Sequence, residues 1–76
     1  MKITLVSGCD WKGIYINGHL EYEGHQITDF QWIEILTKCN NTEVDVGSLM
    51  VDEEWLSDRG TLPKQLKDVA KRNDDY

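Results

Sequence analysis

Apolar positions along this chain recur with two periods, and the change from one period to the other marks its elements. Lys2 to Val6 is a β-branched run followed by Ser7-Gly8-Cys9-Asp10, a turn composition, so a first strand is predicted over 2–6. Asn17-Gly18 then sits between Trp11 to Ile16 and His19 to Glu23. Asn-Gly accepts the two positive φ values of a type I′ turn, whose twist matches paired strands, so a tight hairpin over 11–16 and 19–23 follows. A two-residue loop sets Ile16 opposite His19, Tyr15 opposite Leu20, Ile14 opposite Glu21, Gly13 opposite Tyr22 and Lys12 opposite Glu23. In that register Trp11, Tyr15, Leu20 and Tyr22 share one face, with Gly13 making room for the Tyr22 ring. Ile14, Ile16, His19 and Glu21 share the other face with the Lys12/Glu23 pair. The aromatic face is expected to meet the core.

The period changes after Gly24-His25. Thr28-Asp29-Phe30-Gln31 fits a capping box, and Ile27 with Trp32 supplies the hydrophobic staple. Phe30, Trp32, Ile33, Ile35 and Leu36 make a broad apolar surface, which predicts a helix over about 29–39 mostly buried against the sheet and ended by Asn40-Asn41. Thr42 to Val46 alternates and predicts a half-buried strand over 42–46 with its acids in water, continued by Leu49-Met50-Val51 after a kink at Gly47. Asp52 can cap a short helix over 53–58 that Gly60 ends. Pro63 suits the first turn of a final helix carrying Leu62, Leu66 and Val69, and the last residues look frayed. The expected fold is α+β in a single domain, residues 1–76. It has a small, mainly antiparallel sheet of three to four strands, the 29–39 helix on one face, and a short helical C-terminal segment closing the core through Trp55, Leu62, Leu66 and Val69.

Charge narrows the partners. Fourteen acids against eight bases give −6, which repels a phosphate backbone and disfavours conventional nucleic-acid binding. The charge is also uneven: residues 1–58 carry 11 acids and three lysines, net −8, and residues 59–76 carry five bases and three acids, net +2. An acidic body of this kind suits a basic protein surface. No run approaches ~18 apolar residues, so no membrane span is expected. The opening residues are too short an apolar stretch for a signal peptide, and a cytoplasmic protein with reduced Cys9 and Cys39 is the expectation.

The candidate chemistry is sparse. Asp10 would face His25 with Cys9 adjacent, a thiol–imidazole–carboxylate gathering, yet no oxyanion donor accompanies it, and turn and packing roles explain these residues. Cys9, His19, His25 and Cys39 lack the paired two-to-four-residue spacing of zinc ligands. Asp52-Glu53-Glu54 lacks the spaced acids of a calcium loop. No catalytic residue, metal or cofactor is therefore assigned, and the chain is read as a non-enzyme. Seven aromatics are more informative: a core built of large side chains, with some left as anchors or stacking surfaces.

Two stretches carry a resemblance. Residues 6–25 follow the pattern D-W-x-G-hydrophobic-Y-hydrophobic-[ND]-G-x-L-x-Y-x-G-H, and residues 54–69 follow W-L-x-x-x-G-x-L-P-x-x-L-x-D-V. The chain resembles in these stretches, about half its length, small uncharacterised proteins of bacteriophages and bacterial mobile elements. The resemblance brings no catalytic set. It implies a compact cytoplasmic protein that acts by binding a host component. The first expectation is accordingly a binding protein that engages and inhibits a host protein, a bacterial defence component being the candidate. The second is a sponge, a homo-oligomer enclosing a nucleotide-like molecule between aromatic faces with C-terminal Lys or Arg on its phosphates. For the first, the expected contact surface is the hairpin's second face: Ile14, Ile16, His19 and Glu21, with Glu23 and Glu43 at its rim.

Overall fold

The computed structural model describes residues 1–38 and 43–71, and the Asn40-Asn41 helix stop and the last five residues lie outside them. Four strands form one mixed sheet in the order β3-β2-β1-β4. They are β1 (Lys2–Ser7), β2 (Lys12–Ile16), β3 (His19–Gly24) and β4 (Asp45–Met50). Two helices, α1 (Asp29–Lys38) and α2 (Glu53–Arg59), complete the α+β fold among the described residues, with a 3₁₀ turn at Leu66–Asp68. β1 pairs antiparallel with β2 and parallel with β4, so three ladders give two antiparallel and one parallel pairing.

The hairpin turns where expected, with Asn17 at φ 53° and Gly18 at φ 85°. Its register departs two residues further on. Tyr15 faces Leu20 but Ile14 faces Tyr22, so Glu21 is an extra residue in a β-bulge. A side-chain period of two means that one inserted residue exchanges the faces of everything beyond it. Tyr22 thereby joins Ile14, and Glu23 joins Trp11 and Tyr15. The space at Gly13 belongs to Leu62 rather than to the Tyr22 ring: a Cβ there would stand 2.3 Å from Leu62 Cδ1.

Both sheet faces are covered, and each has its own cluster. On one, Val6, Tyr15, Val51, Leu56, Leu62 and Val69 are buried, with Trp11, Leu20, Leu49, Trp55 and Leu66 packed around them. On the other only Ile3, Ile14 and Ile35 are buried, flanked by Leu5, Ile16, Tyr22, Ile27 and Trp32. The expectation that the Ile14 face stands free is thus corrected: Ile14 is fully buried beneath α1.

The capping box forms, with the Thr28 amide donating to Gln31 Oε1 at 2.8 Å and the Gln31 amide donating to Thr28 Oγ1 at 3.2 Å. Both staple residues reach the Ile14 cluster. The helix they start is not mostly buried, however. Ile35 alone is buried, and Phe30, Ile33 and Leu36 are 80%, 58% and 65% exposed. A single helix on a sheet seals only the arc it presents, and its remaining apolar residues stay in water.

β4 begins later than predicted and runs through Gly47 without a kink, Gly47 lying in register with Thr4. Its inward residue is Leu49, followed by the buried Val51; the acids Glu43 and Asp45 stand in water as expected, but Val44 and Val46 are exposed too, so the expected half-burial of this stretch is not found. α2 is capped as expected: Asp52 accepts from the Trp55 amide at 3.1 Å, and Gly60, at φ 83°, donates to the Leu56 carbonyl at 2.8 Å. The final helix is not found. Residues 62–71 stay largely extended because their backbone groups bond to the sheet: Leu20 N to Lys64 O and Leu66 N to Gly18 O, both 2.8 Å, and Asp52 N to Ala70 O at 2.9 Å. A helix would withdraw those carbonyls. Leu62 and Val69 still reach the core as anticipated.

Candidate functional site

The six residues singled out for partner contact do not come together as one surface. Ile14 is in the core and Ile16 is half-buried beside it. His19 is exposed, but its backbone forms a bridge with Gln65 at the β3 edge. The Glu21 carboxylate pairs with Lys38 Nζ at 2.9 Å, an exposed contact that raises the lysine pKa, chiefly through the hydrogen bond. Glu23 is structural: one carboxylate oxygen accepts from Trp11 Nε1 and from the Leu62 amide, each at 3.0 Å, and so ties β3 to the C-terminal segment. Glu43 is exposed and its carbonyl accepts from the Met1 amine at 2.7 Å.

The other sequence candidates resolve into local roles. His25 Nδ1 lies 3.0 Å from the Asp10 carbonyl, and its ring meets Trp11 edge-on at 5.0 Å. The imidazole is therefore engaged by backbone and by an indole rather than by the exposed thiol of Cys9. A depression of about 280 Å³ beside Cys9 is lined by Asp10, Trp11, Glu53 and Leu56 among others. Cys39 lies outside the described residues. Among those described, no group of three or more His, Cys, Asp or Glu side chains is placed to hold a metal. No described helix is long and apolar enough to cross a membrane.

Tyr15 is the most perturbed titratable group. Its hydroxyl donates to the Pro63 carbonyl at 2.5 Å in the buried cluster, and its pKa is pushed up to about 12 by burial first and by the charge of Glu23 second. A phenol held neutral against a carbonyl is a tie between sheet and C-terminal segment. On the opposite face the Tyr22 hydroxyl donates to the Glu34 carboxylate, which raises its pKa and fixes α1 over β3.

What the chain leaves exposed lies elsewhere. Phe30, Ile33 and Leu36 follow one i, i+3 row of α1. On the same side of the sheet, Val46 and Met50 of β4 are 69% and 43% exposed, in register with Ile3 and Ser7 of β1. Exposed acids on α1 itself, Asp29 and Glu34, accompany the row. The sequence held the signal for this surface. An apolar set spread over Phe30, Trp32, Ile33, Ile35 and Leu36 is wider than one sheet contact can cover.

The chain matches no protein-family model, and no curated protein or solved structure is significantly similar to it.

Proposed function

We propose that this chain is a non-enzymatic binding protein that engages a partner protein through α1, laying the Phe30–Ile33–Leu36 row into an apolar groove with a basic rim. The observation that carries this reading is the exposure of those three large apolar side chains on one helix whose other two, Trp32 and Ile35, already fix it to the sheet. Anchors three residues apart are what a groove reads when it takes up an amphipathic helix. The basic rim follows from charge: Asp29 and Glu34 lie on the same helix as the row, and residues 1–58 carry a net −8. The resemblance to phage and mobile-element proteins makes the partner a protein of a bacterial cell, in its cytoplasm, inhibited by having its groove filled. A defence component is the candidate.

The sponge reading gains no support from the hairpin, because Tyr15 is buried and Trp11 and Tyr22 pack against opposite clusters instead of facing one another.

Photo-cross-linking in bacterial cells tests the docking reading. A photoreactive phenylalanine analogue at position 33 should form an adduct with one partner protein, while the same group at position 57, on exposed α2, should not. The adduct should disappear in Phe30→Gln/Leu36→Gln. Equal cross-linking from both positions contradicts the reading, and an adduct of doubled mass assigns the row to self-association instead.

A further inference from the structure

Two of the C-terminal bases, Lys67 and Lys71, meet a base from the other end of the chain. Lys67 and Lys71 line a depression of about 660 Å³ together with Lys2 at the start of β1. Among the described residues its lining holds no Asp or Glu, in a chain whose net charge is −6. Among the described residues the one ion pair is Lys38–Glu21, so none of these three lysines is neutralised there. Lys2 is shared with a neighbouring depression that Glu43 and Asp45 line, and Asp68 is absent from the lining of this one. The described lining thus carries basic side chains without an acid, which suits an anion.

The rest of the depression is of two kinds. Leu49, Leu66 and Val69 give it an apolar side, and Thr4 and Ser48 add hydroxyl-bearing residues. The volume falls in the roughly 300–1,000 Å³ range of small-molecule sites. We infer that this depression binds a small organic phosphate of two or more negative charges, its phosphates on Lys2, Lys67 and Lys71 and its uncharged part on Leu49, Leu66 and Val69. A free phosphate would leave the apolar side unused. A nucleic acid would have to run on over the acidic body, net −8 for residues 1–58. The site lies on the opposite sheet face from α1, so its failure leaves the docking reading intact.

Titration of the full chain with ADP, followed by amide NMR, tests this. Saturable shifts confined to residues 2–4, 47–49 and 66–71 are expected at sub-millimolar ADP, with at least tenfold weaker binding in Lys67→Gln/Lys71→Gln and an unchanged melting temperature. Pyrophosphate should bind at least tenfold more weakly than ADP. No shift at 5 mM ADP overturns the proposal. Binding undiminished by the double substitution also overturns it, and equal binding of pyrophosphate reduces the site to a simple anion trap.

Discussion

The two faces of the sheet are covered by different means, and the difference separates folding from recognition. The face bearing Tyr15 is closed by α2 and by the extended segment 62–71, and six apolar residues are buried there. The face bearing Ile14 is closed by α1 alone, and three are buried. Several short segments can each follow the sheet's twist, whereas one straight helix meets it along a single line. The first face therefore uses its apolar residues on itself. The second has a surplus, which the helix carries outward as Phe30, Ile33 and Leu36. On this surplus rests the proposal that α1 docks a partner.

The largest expected effect lies on the closed face. Leu62→Ala removes a buried side chain that fills the space at Gly13, and should lower stability by about 3 kcal/mol in urea unfolding. Gly13→Ala places its Cβ against Leu62 and should cost about 2 kcal/mol. Because the added methyl occupies volume that Leu62→Ala vacates, the double variant should be less destabilised than the two single losses added together. Additive losses would mean that Leu62 does not pack on Gly13.

How much of this was legible in the sequence follows from how local each signal is. Caps and turns are settled within four residues, so Asn17-Gly18, Thr28/Gln31 and Asp52/Gly60 appear where the residues placed them. The bulge at Glu21 was not legible. It is driven by contacts distant in sequence, Tyr22 with Glu34 and Glu23 with Trp11 and Leu62. The face assignment of Ile14 failed with it, and the expected contact surface failed in consequence. The final helix failed for a related reason: Leu62, Leu66 and Val69 have helical spacing, but the carbonyls of Pro63, Lys64 and Ala70 are claimed by Tyr15, Leu20 and Asp52. The lysine depression draws on β1 and on residues 67–71, and no local pattern joins them.

Tyr15→Phe should cost about 1.5 kcal/mol at neutral pH, by loss of the buried bond to Pro63. Its pH dependence sharpens the comparison. The unfolded phenol ionises at its ordinary value of 10.0 and the folded one at about 12. The folded chain thus holds the proton more tightly, and the resulting stability is complete below pH 10 and lost as pH rises from 10 to 12. Urea midpoints of the parent chain should fall across that window, and those of Tyr15→Phe should fall less. Identical slopes would mean that the hydroxyl is not held in the closed face.

On the open face the expected effects are smaller. Thr28→Ala deletes one half of the capping box and should cost about 1 kcal/mol, read from the urea midpoint.

The central claim is that the α1 row belongs to recognition and not to the fold, and the melting temperature of Phe30→Gln/Ile33→Gln/Leu36→Gln tests it most directly. Glutamine keeps helix propensity while removing the apolar surface. At low protein concentration the triple variant should melt within about 4 °C of the parent chain, the shift that corresponds to less than about 1 kcal/mol in a domain of this size. A fall of more than about 10 °C would contradict the account, because it would place the row inside the folded unit.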